Sequence, residues 1–432
     1  MLKTIYSILI LTIMISCGGG GASTTLTDPA AQTDPVLARL INQAKTTNSP
    51  NAYVELARYY AKQKQITNAI KNYEQATKLD SNRVDIFFEL GEYTFNNNVK
   101  RTALRAFKFI LEGNKATSYT DRIASYIFGY RINQITFGDH NSAYPSFSPD
   151  SKEIYFQTDQ NGNWDIAKVP VEGGSPSIVL QTDANEEHPT ISYNRRFMIY
   201  TTDEYDTRLV HNSQKWREIQ SYEFGTAKKT RLTLNYLDDF YPRVKNRSEL
   251  TFVREIPTEG INTYGSRKTN VYVMNYDGSF QVPLTKGSYH DNSGAVTFDS
   301  GETYFSSDRG GKFWNIYAEN NQSKDVRQIT DFDFNCISVD VDSAGNRIVF
   351  TGDQNSTLDI YMTNQTGNRL ERITFHQGDA DQAVFSPDGQ YLAFHSNNGG
   401  SYDIYLVYLN IRSEEPTISN LLRKIDSDLL TL

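Results

Sequence analysis

Two periodicities divide the chain. From Asn51 to about Tyr130, apolar residues recur at helical spacing in a stretch rich in Ala, Leu, Lys and Glu and poor in Gly and Pro. From about Arg131 onward, short alternating apolar runs are separated by Gly, Asn, Asp and Ser, which is the pattern of strands and turns. Each region repeats itself. In the first, Leu56, Ala57, Tyr60, Ala69, Tyr73 and Ala76 return 34 residues later as Leu90, Gly91, Thr94, Ala103, Phe107 and Ile110. Two such units need neighbours on which to bury their faces, so flanking helices are expected at Val36 to Lys45 and at Ser118 to Phe128.

In the second region an aromatic residue closes one strand of every unit: Phe156, Tyr200, Phe252, Phe305, Phe350 and Phe394, at spacings of 44, 52, 53, 45 and 44. Six residues before each stands a turn position, clearest in Pro149-Asp150 and Pro387-Asp388-Gly389. A second marker follows as Asp165-Ile166, Glu218-Ile219, Asn270-Val271, Asn315-Ile316, Asp359-Ile360 and Asp403-Ile404. A third is an Ile-Thr or Leu-Thr pair, as at Leu232-Thr233, Leu284-Thr285, Ile329-Thr330 and Ile373-Thr374. Four short strands in a unit of about 45 residues, six times over, predict a six-bladed β-propeller. The strand at 132–136 precedes the first unit and its counterpart is missing after the last. It is therefore expected to supply the outer strand of the sixth blade and close the ring.

The small and large positions of the 34-residue unit resemble the tetratricopeptide repeat, in which small residues let paired helices approach. The strand repeat resembles the TolB type, through Ser148-Pro149-Asp150, Ser386-Pro387-Asp388-Gly389, Asp359-Ile360-Tyr361, Asp403-Ile404-Tyr405 and the terminal Ile-Thr pairs, over roughly residues 131 to 409. That resemblance implies an exported periplasmic scaffold, since the TolB propeller binds the peptidoglycan-associated lipoprotein through its central mouth. TolB carries an N-terminal α/β domain, however, where this chain has helical repeats. The fold class expected is thus a multidomain chain, all-α tetratricopeptide-like repeats followed by an all-β six-bladed propeller.

The N-terminus adds a destination. Lys3 and the apolar stretch Ile5 to Ile15 read as a secretion signal, and Met14-Ile15-Ser16-Cys17 resembles a bacterial lipobox, which implies acylation of Cys17. Gly18 to Gly21, then Ala22, Ser23, Thr24 and Thr25, have the composition of a flexible tether. The expected layout is a lipoprotein signal peptide at 1–16, a tether at 17–34, helical repeats at 35–130, the propeller at 131–410 and a C-terminal tail at 411–432. With only 2 Cys and 12% aromatic residues, the interior is expected to be held by packing and Cys336 to be a buried apolar residue. A net charge of -8 argues against nucleic acid as a partner.

No Gly-x-Ser-x-Gly elbow, P-loop, dinucleotide fingerprint or zinc-ligand spacing occurs, so no enzyme, cofactor or metal is expected. The loops leading into the innermost strands carry Asp139 and His140; Glu186, Glu187 and His188; Asp238 and Asp239; His290 and Asp291; Asp331 and Asp333; and Asp379 and Asp381. Every loop brings a carboxylate, which predicts a negative well on one face, although turn formation alone would also favour these residue types. On that same face, the second-to-third-strand loops of blades two and three are longer than the others and carry Arg208, Trp216, Arg217, Tyr264 and Arg267, a basic and aromatic rim. The function these features suggest is a lipid-anchored scaffold binding envelope proteins, peptidoglycan-associated ones among them, in the outer membrane, periplasm or cell surface. A glycan or small-ligand sensor in the propeller mouth is the alternative, with a metal-dependent lyase or hydrolase behind it.

Overall fold

The structure, a computed structural model, describes residues 34–211, 214–256, 268–296, 301–354, 357–375 and 378–432. Signal, tether, Cys17, Tyr264 and Arg267 lie outside the described residues. The chain divides into two compact units, the first ending at Leu90 and the second running from Gly91 to Leu432.

In the first unit, α1 (Pro35–Thr47) and α2 (Pro50–Lys62) each begin with a proline at the first helical turn, where its missing N–H costs nothing. The Asp34 carboxylate accepts from the Val36 and Leu37 amides, and the Ser49 hydroxyl from Ala52, so both helix starts are capped. Helix α2 packs on α3 (Ile66–Leu79) with Ala57 and Ala69 wholly buried and Tyr73 nearly so, which is the role the 34-residue pattern gave them. Helix α4 (Val84–Asn96) crosses the division between the units.

The second unit contains α5 (Lys100–Leu111), α6 (Thr120–Ile127) and the propeller. Gly91 has the small position of its repeat for a steric reason, because a Cβ there would fall 2.5 Å from the Phe107 ring. The segment expected to be a tail carries a helix instead, α7 (Ile418–Thr431), whose Leu421 and Ile425 are fully buried against α5 and α6. Its apolar positions cover the last repeat helices, and Lys108 holds Asp426 at 2.5 Å.

Six four-stranded antiparallel sheets follow. Strand β1 (Tyr130–Gln134) is the outer strand of the last of them. Blade one is β2–β5 (Ser142–Phe147, Glu153–Thr158, Asp165–Pro170, Ser177–Leu180) and blade two β6–β9 (Glu186–Ile191, Phe197–Thr202, Glu218–Glu223, Lys228–Arg231). Blade three is β10–β13 (Asp239–Val244, Glu249–Ile256, Lys268–Asn275, Val282–Pro283) and blade four β14–β17 (Asp291–Val296, Glu302–Ser307, Asn315–Asn320, Val326–Gln328). Blade five is β18–β21 (Cys336–Val341, Arg347–Gly352, Asp359–Asn364, Glu371–Arg372). Blade six is β22–β24 (Ala380–Phe385, Tyr391–Ser396, Asp403–Arg412), completed by β1, which pairs Ile132 with Val407 and Gln134 with Tyr405. The expected closure is therefore present, and β1 covers the edge that β24 would otherwise expose.

The sequence markers are explained by their bonding. All six ruler aromatics are at most 1% exposed and form the blade cores. The threonine of each Ile-Thr pair clasps the second marker. Thr136 Oγ1 donates to Asp403 and accepts from the Ile404 amide, and Thr374 does the same with Asp359 and Ile360. Thr233 repeats it with Glu218 and Ile219, and Thr330 with Asn315 and Ile316. In the turns, the Ser148 and Ser386 hydroxyls donate to Asp150 and Asp388 and accept amides of the returning strand.

Candidate functional site

The first strand of every blade contains a β-bulge at its third residue. Tyr144, His188, Tyr241, Ser293, Ser338 and Gln382 stand there, all at φ between 52° and 59°, the left-handed region that side chains other than glycine seldom occupy. The same unusual conformation six times over makes the bulge a property of the repeat. It sets one side chain per blade at the axis.

What fills the axis differs around the ring. Tyr144, His188 and Tyr241 form an aromatic plug with His395: Tyr144 stands edge-on to His188 with centroids 4.5 Å apart, and His188 lies 4.3 Å from Tyr241. The Tyr241 hydroxyl donates to that of Tyr144 at 3.2 Å. Burial pushes the Tyr144 hydroxyl up to about 12 and holds both imidazoles below the ordinary histidine value, so His188 and His395 are neutral at pH 7. Ser293 and Ser338, by contrast, are too small to reach across.

The plug separates two depressions. On the lower face, where the first-to-second-strand turns lie, is a cavity of about 820 Å³ bordered by Pro149, Tyr193, Lys245 and Pro387. Across it Arg243 of blade three reaches Asp340 of blade five at 2.8 Å, with Ala295 of blade four in the same lining. Asp340 also accepts the Phe385 amide, and burial raises its pKa. On the upper face, where the loops into the first strands lie, a smaller cavity of about 420 Å³ opens between blades four and five.

The residues expected to form an acidic well belong to the upper face but do not act together. Asp238 and Asp379 clasp neighbouring blades: each precedes a first strand and accepts an amide of the blade before it, from Arg217 and Leu358. Asn141, Asn185 and Asn335 do the same for Tyr402, Trp164 and Trp314, and each also grips an aspartate of its own blade. Asp239 and Asp291 begin their strands fully buried, bound bidentately by Arg254 and Arg309, which stack on the ruler aromatics Phe252 and Phe305. Arg217 neutralises Asp238 and lies 3.6 Å from Glu187, whose pKa burial raises.

Four of the expected carboxylates, Glu187, Asp238, Asp239 and Asp291, are thus held in local ion pairs. Burial pushes Glu186 to about 7, with one oxygen lacking a partner. His188 belongs to the plug, and His290 packs near Trp314 with its pKa lowered by burial. Asp139, Asp331 and Asp333 are exposed at loop tips, His140 is half-buried beside Gly138, and Asp381 lines the upper cavity. The blade-two insertion folds around Asp206, which accepts the Arg208 guanidinium and the amides of Arg208 and Trp216, while Trp216 stands edge-on to Tyr236. Among the described residues, no group of three or more His, Cys, Asp or Glu is placed to hold a metal ion.

Sequence reasoning missed the apolar character of this face. Phe137, Leu234, Tyr236 and Phe375, in the loops into the first strands, are 69%, 78%, 83% and 61% exposed, and Leu209 and Tyr289 are exposed beside them. The signal was readable, because Phe137, Leu234 and Phe375 each directly follow the threonine of a Leu-Thr or Ile-Thr pair.

A tetratricopeptide (TPR) repeat model matches residues 57–97. No curated protein matches the chain in sequence. Among solved structures the chain is similar to a gluconolactonase from Xanthomonas campestris (14% identity, TM-score 0.50, covering 66% of this chain and 92% of that one). It is also similar to an oligogalacturonate lyase from Vibrio parahaemolyticus (13%, 0.47, 65% and 94%) and to TolB from Acinetobacter baumannii (15%, 0.43, 63% and 64%). Likeness at this level concerns the fold, which serves enzymes and binding proteins alike. Helices matched in part by the TPR model thus precede six four-stranded blades, the arrangement of a six-bladed β-propeller.

Proposed function

We propose that this protein is a lipid-anchored scaffold of the bacterial cell envelope, tethered through Cys17 and binding envelope proteins through its helical repeats and the upper face of the propeller. The observation that carries the choice of face is the apolar rim of Phe137, Leu209, Leu234, Tyr236, Tyr289 and Phe375. Toward the lower face, Tyr193 and Phe280 in turns and Val282 and Val326 at the starts of outer strands are exposed, with exposures of 44%, 79%, 49% and 41%. Large apolar side chains exposed in several loops of one face offer the anchors that protein interfaces use. The Ser16-Cys17 junction and the glycine-rich tether support the anchor, and a peptidoglycan-associated protein is the partner the TolB resemblance favours.

A photocrosslinking amino acid placed at Tyr236 or Phe375, in cells, tests both parts. Adducts with a defined envelope protein are expected from these two positions and not from Phe280, and the combined change of Phe137 and Leu234 to Ser, with the crosslinker kept in place, should weaken them strongly without lowering the melting temperature. Cys17→Ala should move the protein to the aqueous phase of a detergent partition. Absence of adducts from the upper face, or adducts only from Phe280, overturns the choice of face, and an unmoved Cys17→Ala variant overturns the anchor.

A further inference from the structure

The upper cavity owes its existence to side-chain size. Blades one to three place Tyr144, His188 and Tyr241 at the bulge, whereas blades four and five place Ser293 and Ser338, so the space that rings fill on one side stays open on the other. At about 420 Å³ it lies at the small end of the roughly 300–1,000 Å³ range typical of small-molecule sites.

Its lining is polar, buried and incompletely bonded. Ser293, Ser338 and Gln382 are only 4%, 5% and 7% exposed, although hydroxyls and amides withdrawn from water without partners are costly. Among the described residues, no hydrogen bond from the Ser293 hydroxyl is found, and Ser293 lines the cavity. Gln382 Nε2 donates to Ser338 Oγ at 2.7 Å, which leaves the Gln382 carbonyl oxygen and the Ser338 O–H available. Asn292 Oδ1 accepts from Thr269, leaving its NH2 group as a donor. One Asp381 oxygen accepts from Thr351 Oγ1 and the Gln382 amide, leaving the other as an acceptor. Trp314 adds an aromatic face and an uncommitted indole N–H to the same wall. Neither arginine nor lysine lines the cavity, so nothing there would balance an anionic ligand.

We propose that this cavity binds a neutral polyhydroxylated ligand, a mono- or disaccharide. Alternating donors and acceptors at fixed positions complement hydroxyl groups, each of which donates and accepts, and the indole face suits the apolar C–H face of a pyranose. The site is distinct from the apolar rim, so it stands or falls separately from the partner-binding reading.

The test uses the full chain and three probes, glucose, cellobiose and N-acetylglucosamine, followed by tryptophan fluorescence and calorimetry. At least one sugar should bind saturably with Kd at or below about 1 mM. Ser293→Tyr, which copies the blade-three ring into the cavity, and Trp314→Leu should each weaken that binding at least tenfold, while Phe280→Ala on the lower face leaves it unchanged. Trp314→Leu decides the matter if Ser293→Tyr does not fold. No saturation by any of the three sugars at tenfold that concentration, binding that survives both cavity variants, or preference for galacturonate or putrescine over the neutral sugars would overturn the proposal.

Discussion

Blades one to three and blades four and five share one backbone, down to the left-handed bulge in the first strand, yet they do opposite things at the axis. Three aromatic rings from the first group, with His395, seal the centre of the ring. The two serines of the second group leave a polar hollow above the seal, and the Arg243–Asp340 bridge lies at the cavity beneath it, which Ala295 also lines. The repeat therefore fixes where a side chain will stand, and the identity of that side chain alone decides between packing and a cavity. Because neighbouring blades share the axis, each substitution there acts on its partners across the ring.

The largest expected effect comes from removing a plug residue. Tyr241→Ala deletes a partly buried ring that touches Tyr144 and His188, at a cost of about 3–4 kcal/mol. Ser293→Ala, the same position in blade four, should stay within about 0.5 kcal/mol of the parent, because it removes no ring and no bonded partner. Denaturant unfolding of both variants checks the contrast, and equal losses would show that the axis is not divided in this way.

Next is the bridge that ties the two groups together. Arg243→Ala leaves the partly buried Asp340 carboxylate, which also accepts the Phe385 amide, without its cation, at a cost of about 1–2 kcal/mol at neutral pH. The loss should shrink on acidification, since a protonated Asp340 no longer needs a counter-charge. A variant equally weakened at pH 4 and pH 7 would deny that the charge is what matters.

The effect smallest per pH unit concerns Glu186, whose counterparts Asp239 and Asp291 hold arginines while no ion pair to Glu186 is found among the described residues. Its folded pKa of about 7 lies above the ordinary 4.5, so the folded state binds the proton more tightly than the unfolded state does. Stability should accordingly fall as pH rises from about 4.5 to about 7, by no more than about 1.4 kcal/mol per pH unit. Glu186→Gln should flatten that slope in a melting series over the same range. An unchanged slope would assign the pH dependence elsewhere.

The propeller was legible because its repeat markers are bonding partners. Ile-Thr pairs, Asp-Ile pairs and Ser-Pro-Asp turns recur since each blade needs the same clasps, and six copies in register left no other architecture. The helix α7 was not legible as part of the fold: its Leu421 and Ile425 have an apolar face to bury only once α5 and α6 are brought beside it, more than 300 residues away in sequence. The upper-face acids were found but misjudged as a group. Arg217, Arg254 and Arg309 lie in or just after the second strands or before the third, and nothing in local spacing says that they will reach Asp238, Asp239 and Asp291.

By itself the sequence determined the number of blades, the closing strand, the helical repeats and the side chains that each loop would carry, because these follow from period and from contacts repeated within each unit. Only the tertiary structure decided which carboxylates are neutralised by arginines and which residues share the axis. It also decided that three rings would seal the centre while two serines left a cavity. Those outcomes depend on side chains from different blades meeting across the ring, a relation that no one-dimensional spacing encodes.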